Sequence, residues 1–318
     1  MANGCFSLDF RKPNAAVPFP LYGELASVSA AILWAAALST FRGFGHGIPA
    51  HALNLYKNSV ALLCAGCALV VVRPEFRGDT EDYALLVMSG ILGLAIGDTA
   101  LFAALARLGA RRAALLQFLY APMAVVFGVV VLGERLNAPQ TTGVVITVVS
   151  VAGVIYFGRD RSEASGTSQL TTGVVLGLIV ALSQSIGLIM ARKAFANVGV
   201  LVGTSLRLIP AVMLLMAIQV VRQHAHTHRS FEFLRHPRQA IALSIAAIGG
   251  TFLGVLLISV GVKYAEAGIA ATLTATFPIW ILPVSHVFLG ERSNWVCGLL
   301  TFLAVAGVAM IFLGRSTV

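Results

Sequence analysis

The sequence predicts an all-α polytopic membrane protein, with ten transmembrane helices in two inverted five-helix repeats. Three observations lead there. First, 58% of the 318 residues are hydrophobic and only 11% charged, whereas soluble domains run near 25% charged. The mean hydropathy of +0.88 is more than one aqueous core can absorb. Second, apolar runs of about 20 residues, the length of a spanning helix, alternate with short polar stretches. Third, the chain repeats itself. Gly97 to Arg135 reads GDTALFAALARLGARRAALLQFLYAPMAVVFGVVVLGER, and the pattern returns 157 residues later from Gly254 to Arg292. Ala110 falls on Ala267, Leu116 on Leu273, and Leu132-Gly133-Glu134-Arg135 on Leu289-Gly290-Glu291-Arg292. A helix pair repeated this closely is a duplicated unit.

Each element follows from its apolar run and its polar flanks. Helix 1 is expected over 24–42, from Glu24 to Arg42 with Trp34 inside, followed by a turn from Gly43 to Pro49. Helix 2 covers 53–72 with Lys57 in its first turns, and Arg73 to Asp82 forms a polar loop. Helices 3, 4 and 5 cover 83–106, 111–132 and 138–157, with Asp98 inside helix 3. Asp160 to Gln169 is a linker. Helix 6 covers 171–191 and ends at Arg192-Lys193, and helix 7 covers 200–221 with Arg207 early in it. The polar stretch Arg222 to Arg238 leads to helix 8 at 239–261, helix 9 at 267–289 and helix 10 at 294–314.

The repeat reaches the first helices at an offset of 150, which sets Arg42 on Arg192, Lys57 on Arg207 and Trp34 on Gln184. The units are a lead-in at 1–23, a first repeat at 24–159, a linker at 160–170 and a second repeat at 171–315. Five spans are odd, so the second repeat enters from the opposite face, an arrangement that places solute sites between halves. Basic residues do not fix the orientation. With the N-terminus inside, and leaving aside the intrahelical Lys57 and Arg207, nine lie on the cytoplasmic side and eleven outside, so the positive-inside rule is undecided.

Composition excludes other classes. The net charge of +9 comes from 22 Lys and Arg scattered between apolar runs. Nucleic-acid binding needs a coherent basic face, and these charges suit lipid headgroups better. Cys64 and Cys67 read as small hydrophobes in one helix, and no zinc set or disulfide framework is expected. The opening MANGCFSLDFRKPNAAVPFP is broken by prolines at 13, 18 and 20, unlike a signal peptide. His224, His226 and His228 alternate like metal ligands, but a soluble linker is the commoner explanation of such a stretch. Neither G-x-x-x-G, Gly93–Gly97 nor Gly250–Gly254, sits in a phosphate-loop context.

Two five-helix halves, each carrying A-x(2)-A-A-x-L, a proline-bearing helix and L-G-E-R, resemble the EamA-type drug/metabolite transporters over roughly 24 to 315. The resemblance implies a ten-helix bundle with both termini cytoplasmic and a central cavity lined by helices 1, 3, 4, 6, 8 and 9. It also implies secondary transport, often efflux, of amino acids or related metabolites across the cell membrane, the bacterial inner membrane in particular.

Within that frame the residues have two readings each. Asp98 is the only acid well inside an apolar run, where a carboxylate costs several kcal/mol unless paired, hydrated or protonated. Its counterpart is Val255. It either recognises a cargo ammonium or carries a proton, or it is a structural hydrogen-bonded acid. Lys57 and Arg207 are symmetry-related bases that either snorkel and pair with Glu134 or Glu291, or recognise a carboxylate. Glu134 and Glu291 are gating charges or interfacial partners. Trp34, Gln117, Tyr120, Gln184, Ser185, Thr251, Thr274, Trp280 and His286 are the polar and aromatic cavity candidates. Pro122, Pro278 and Pro283 are expected to interrupt helices 4 and 9.

The function expected is therefore a secondary transporter, in the export direction, working by alternating access and coupled to a proton gradient or to exchange. Its partners are a small-molecule substrate and the lipid bilayer, with no nucleic acid and no cofactor, in a monomer or homodimer. The alternatives are a membrane-embedded enzyme acting on a lipid or isoprenoid, which would need clustered acids or histidines, and a non-transporting membrane protein.

Overall fold

Long runs of Ala, Val, Leu and Ile without charge leave the backbone only one way to satisfy its polar groups in lipid, the α-helix. The computed structural model describes residues 22–132, 137–157, 167–195, 197–226, 230–264, 272–289 and 295–313. Helix α1 (Tyr22–Phe44) is followed by α2 (Ala50–Val72) and α3 (Thr80–Ser89). A π-helical stretch, Gly90–Gly97, carries α3 directly into α4 (Asp98–Phe118), and α5 (Tyr120–Leu132) and α6 (Ala138–Phe157) follow. Then come α7 (Thr167–Phe195), α8 (Val200–His226) and α9 (Pro237–Ala246). A second π-helical stretch, Ala247–Leu253, leads into α10 (Gly254–Tyr264), and α11 (Phe277–Leu289) and α12 (Trp295–Leu313) close the chain.

Among the described residues, eight helices are long and apolar enough to cross a membrane, so the protein is an all-α polytopic membrane protein. One of the eight, Thr80–Phe127, runs for 48 residues, more than twice what a bilayer requires. It breaks at Gly109 (φ 80°, ψ 170°), a conformation open to glycine because it lacks Cβ. The break falls inside the expected gap at 107–110, but helical backbone continues on both sides of it with no loop. Thr272–Val287 is a shorter apolar helical segment.

The outer faces carry large apolar side chains such as Leu63, Val71, Val149 and Phe302. Small residues fill the contacts between helices, among them Ala30, Ala31, Ala35, Ala104 and Ala114, all fully buried. Without a hydrophobic driving force in lipid, close backbone approach supplies the packing. Helix α1 packs on α10 and α11, α7 packs on α4 and α5, α2 packs on α8, and α6 packs on α12.

The two parts of the chain repeat local detail as well. Leu119 N–H donates to Leu116 O at 3.1 Å, and Thr276 N–H to Leu273 O at 3.1 Å, positions 157 apart. Each bond marks a one-turn discontinuity. The prolines sit just beyond it: Pro122 and Pro278 fall in the first turns of α5 and α11, where a missing N–H costs nothing. Of the three prolines expected to interrupt helices, Pro283 lies within α11, and the other two restart helices rather than interrupt them. At one end of the bundle Asn197 Nδ2 donates to Asp82 Oδ2 at 3.1 Å, and Lys193 pairs with Glu81 at 2.5 Å. At the position equivalent to Asp82, Gln239 Nε2 donates to Phe44 O at 2.6 Å.

Some boundaries differ from expectation. Helix α2 begins at Ala50 rather than 53, which sets Lys57 two turns in. Helix α8 continues to His226, past the expected end at 221. Residues 265–271, where helix 9 was expected to begin, lie outside the described residues.

Candidate solute site

The polar centre is built from α2 outward. Asn54, Lys57 and Asn58 stand at i, i+3 and i+4 and so share one helix face. All three are buried. That face meets the π-helical stretch, whose wider turn leaves carbonyls without their usual partners. Asn54 Nδ2 donates to Leu94 O at 2.8 Å, Ala95 O at 3.2 Å and Thr99 Oγ1 at 2.9 Å. Asn58 Nδ2 donates to Asn54 Oδ1 at 3.0 Å and Leu94 O at 3.3 Å. The asparagines therefore pin α2 to the irregular backbone immediately before Asp98.

Asp98 is 7% exposed and Lys57 6%. Lys57 Nζ makes an ion pair with Asp98 Oδ2 and lies 5.7 Å from the centre of the Phe102 ring, a cation–π distance. Gln184 Nε2, on α7, donates to Asp98 Oδ1 at 2.8 Å. Both oxygens of the carboxylate are thus engaged. The partner of Lys57 is Asp98; Glu134 and Glu291, the partners the sequence allowed for the two bases, lie outside the described residues.

Arg207, on α8, is half-buried. Its Nη2 lies 3.6 Å from where a Cβ on Gly93 would stand, and Gln184 Oε1 lies 3.8 Å from the same point. The guanidinium is within electrostatic reach of Asp98. Its Nε is buried without a hydrogen-bond partner among the described residues. Two cations and one anion leave the centre with one net positive charge. Glycines make this proximity feasible: a Cβ on Gly90 would run into the Arg207 carbonyl oxygen, and Gly187 sits against Gly93. Ser89 Oγ donates to Gly187 O at 2.7 Å across the same seam.

The equivalent place in the second repeat keeps a base, Arg207, but lacks the acid. Trp34 Nε1 donates to Gly250 O, in the second π-helical stretch, at 2.6 Å. Gln184 Nε2 makes the matching, longer contact with Gly93 O at 3.5 Å. Val255 stands where the first repeat has Asp98. Trp34 also joins an aromatic cluster at the two helix discontinuities. Its ring centre is 6.1 Å from that of Phe277, Phe277 is 5.5 Å from Phe118, and Phe118 is 6.4 Å from Tyr120.

The remaining candidates are placed less centrally. Gln117 is half-buried, and its backbone carbonyl accepts from Leu119 N–H at the end of α4. Thr274 is half-buried and has a partner. Trp280 is 37% exposed and bonds within its own helix, Nε1 to Thr276 Oγ1 at 3.1 Å. Ser185 is fully buried, Thr251 lies in the second π-helical stretch and His286 is exposed. His224 and His226 fall on the last turn of α8 and His228 lies outside the described residues. No group of three or more His, Cys, Asp or Glu among the described residues could hold a metal ion.

A cavity of about 610 Å³ opens at the α1–α2 turn and reaches Thr99 and Phe102, beside the charged centre. That volume lies in the range of small-molecule sites. Arg42, His46, His51 and Arg107 line it, with no carboxylate among the described residues of its lining.

Eight apolar spans around a buried, hydrogen-bonded charge centre define a polytopic helical membrane protein with a polar interior. The chain belongs to the EamA-like transporter family, which it matches over residues 21–156 and again over 171–313. No curated protein matches it in sequence. Among solved structures it is similar to a protein crystal structure at 19% identity and a TM-score of 0.63, covering 92% of this chain and 98% of the other. At that identity the likeness shows the fold alone.

Proposed function

We propose that the protein is a secondary transporter that moves a small metabolite, such as an amino acid or a related compound, across the cell membrane by alternating access, in the export direction. Ten spans follow if the 48-residue helix counts as two across Gly109 and Thr272–Val287 as one more. Two repeats, 24–159 and 171–315, are then inserted in opposite senses. The end contacts support that sense. Asn197, in the α7–α8 turn, meets Asp82 at the start of α3. The α1–α2 turn meets Gln239 at the start of α9. A turn of one repeat lies level with the start of the third helix of the other only when the repeats run antiparallel.

The observation that carries the reading is the charged centre itself. Lys57 and Asp98 come from the first matched segment, Gln184 and Arg207 from the second. Buried charge inside a membrane bundle marks a solute or ion path by default, and here the two repeats share it. Asp98 is the group that would carry a proton, facing Lys57, Arg207 and Gln184. Trp34, Gln117, Tyr120, Thr274 and Trp280 line the rest of the route, with Glu134 and Glu291 as end charges.

Counterflow in proteoliposomes tests the proposal. Vesicles loaded with a metabolite extract should retain and exchange at least one solute in a protein-dependent way. Asp98→Asn should remove the response of that exchange to an imposed pH gradient while the protein still inserts. Absence of any protein-dependent exchange would end the carrier reading, and an unchanged pH response would remove Asp98 from coupling.

A further inference from the structure

Lys57 and Arg207 occupy equivalent places in the two repeats, yet only one has an acid. Lys57 is neutralised by Asp98. The corresponding position for Arg207 is Val255. Asp98 is within electrostatic reach of Arg207, but its two oxygens are taken by Lys57 and Gln184. The Arg207 guanidinium makes no hydrogen bond or ion pair to a described residue, and its Nε is sealed from solvent. A buried donor left without an acceptor costs the full desolvation of that group. A guanidinium kept in that state in a solute path is the complement of an acceptor that comes and goes.

We infer that the cargo site is an anion site, in which the Arg207 guanidinium receives the carboxylate of a small monoanionic solute. The planar fork of an arginine matches a carboxylate with two parallel hydrogen bonds. Gly93 keeps the space beside Nη2 open, since its missing side chain would stand 3.6 Å away. Charge balance selects the valence. The centre carries one net positive charge, which a monocarboxylate cancels and a phosphate dianion overshoots. An ammonium group would have to compete for Asp98 with the ion pair to Lys57 and the hydrogen bond from Gln184, whereas a carboxylate meets the unpaired Arg207 donor directly. The approach favours the same sign: the 610 Å³ cavity that reaches Thr99 is lined by Arg42, Arg107, His46 and His51 and, among the described residues, by no carboxylate. A cleft of one sign raises the local concentration of the opposite charge. Its Phe41 and Phe102 walls suit an apolar body behind the carboxylate. This inference rests on the carrier reading above and narrows its cargo from amino-acid-like metabolites to monocarboxylates that carry no ammonium group.

The test uses the full chain in lipid nanodiscs and reads apparent affinity from the concentration dependence of thermal stabilisation. The probes are propionate and benzoate, their amides, benzylamine, the zwitterion phenylalanine and inorganic phosphate. Both carboxylates should bind about tenfold or more tightly than every other probe, the scale of one charge-assisted hydrogen bond. Arg207→Gln should lose about ten- to a hundredfold of carboxylate affinity. Arg207→Lys, which keeps the charge but not the fork, should fall between. The inference is overturned if amides, amine, zwitterion or phosphate match the carboxylates on the unaltered protein, a comparison that needs no variant to fold. It is equally overturned if Arg207→Gln keeps carboxylate affinity within about twofold, against the loss expected from a charge-assisted bond. Counterflow separates the two readings. Carboxylate binding without exchange of any solute keeps the site and removes the carrier, whereas exchange that carboxylates do not inhibit keeps the carrier and removes the site.

Discussion

Removing Asp98 alone should destabilise the protein far more than removing Asp98 and Lys57 together. The carboxylate and the ammonium are 7% and 6% exposed, and they pair directly. Asp98→Leu leaves a buried ammonium with no counter-charge, for which about 3–5 kcal/mol is the usual cost. It also strips the acceptor from Gln184 Nε2, worth roughly another 1 kcal/mol. The double variant Lys57→Met with Asp98→Leu replaces both charges by apolar side chains of similar size. Such replacements are near neutral, within about 1 kcal/mol, or stabilising. The double-mutant cycle should therefore give a coupling of about 3 kcal/mol or more, read from reversible unfolding in mixed micelles. The exposed pair Lys193–Glu81, with side chains 63% and 66% accessible, is the control, and its removal should leave stability unchanged. Single variants costing under about 1 kcal/mol, or costs that simply add in the double variant, would refute the buried-pair argument.

Other consequences are smaller and separable. Gly90→Ala forces a methyl into the Arg207 carbonyl and should cost about 1–3 kcal/mol by overpacking, while Gly93→Ala, whose nearest neighbour is 3.6 Å away, should be tolerated in the same unfolding assay. Trp34→Phe keeps a ring against Phe277 but loses the bond to Gly250 O; it should cost about 1 kcal/mol and blue-shift no other tryptophan. Asp82→Ala removes the side-chain half of the capping box on α3, the bond from Asp79 N–H, and the acceptor for Asn197, and a loss of about 1–2 kcal/mol should appear with faster amide exchange at the start of α3.

Much of this arrangement was legible in the chain. The offsets of 150 and 157 align Trp34 with Gln184, Lys57 with Arg207 and Gly93–Gly97 with Gly250–Gly254, and Trp34 and Gln184 make matching contacts with Gly250 O and Gly93 O. The burial of Asp98 was legible too, since it stands about 15 Å, at 1.5 Å per residue, from the Leu108 end of its helix. What the sequence hid was tertiary. Lys57 and Asp98 are 41 residues apart, and nothing local chooses Asp98 over Glu134 as the partner. The π-helical stretches are invisible because an all-apolar face has no periodicity to disturb. Asn54 and Asn58 were not singled out, although two amides flanking Lys57 at helical spacing in an apolar run were the signal. Polar residues inside a span are rarely idle. The prolines misled slightly, since Pro122 and Pro278 sit at helix starts, where proline is favoured, rather than at kinks.

The central claim is that the charged centre is reached from each side in turn, with the Asp82–Asn197 end opening and closing. In a chain with Cys5, Cys64, Cys67 and Cys297 replaced by serine, Asp82→Cys and Asn197→Cys can be joined through a short, reducible bis-thiosulfonate linker across the contact where Nδ2 and Oδ2 now lie 3.1 Å apart. The most direct measurement is counterflow through this variant before and after reduction. The account predicts no turnover while the cross-link holds that end shut and full recovery once it is reduced. Equal turnover in both states, with the cross-link verified, would contradict it.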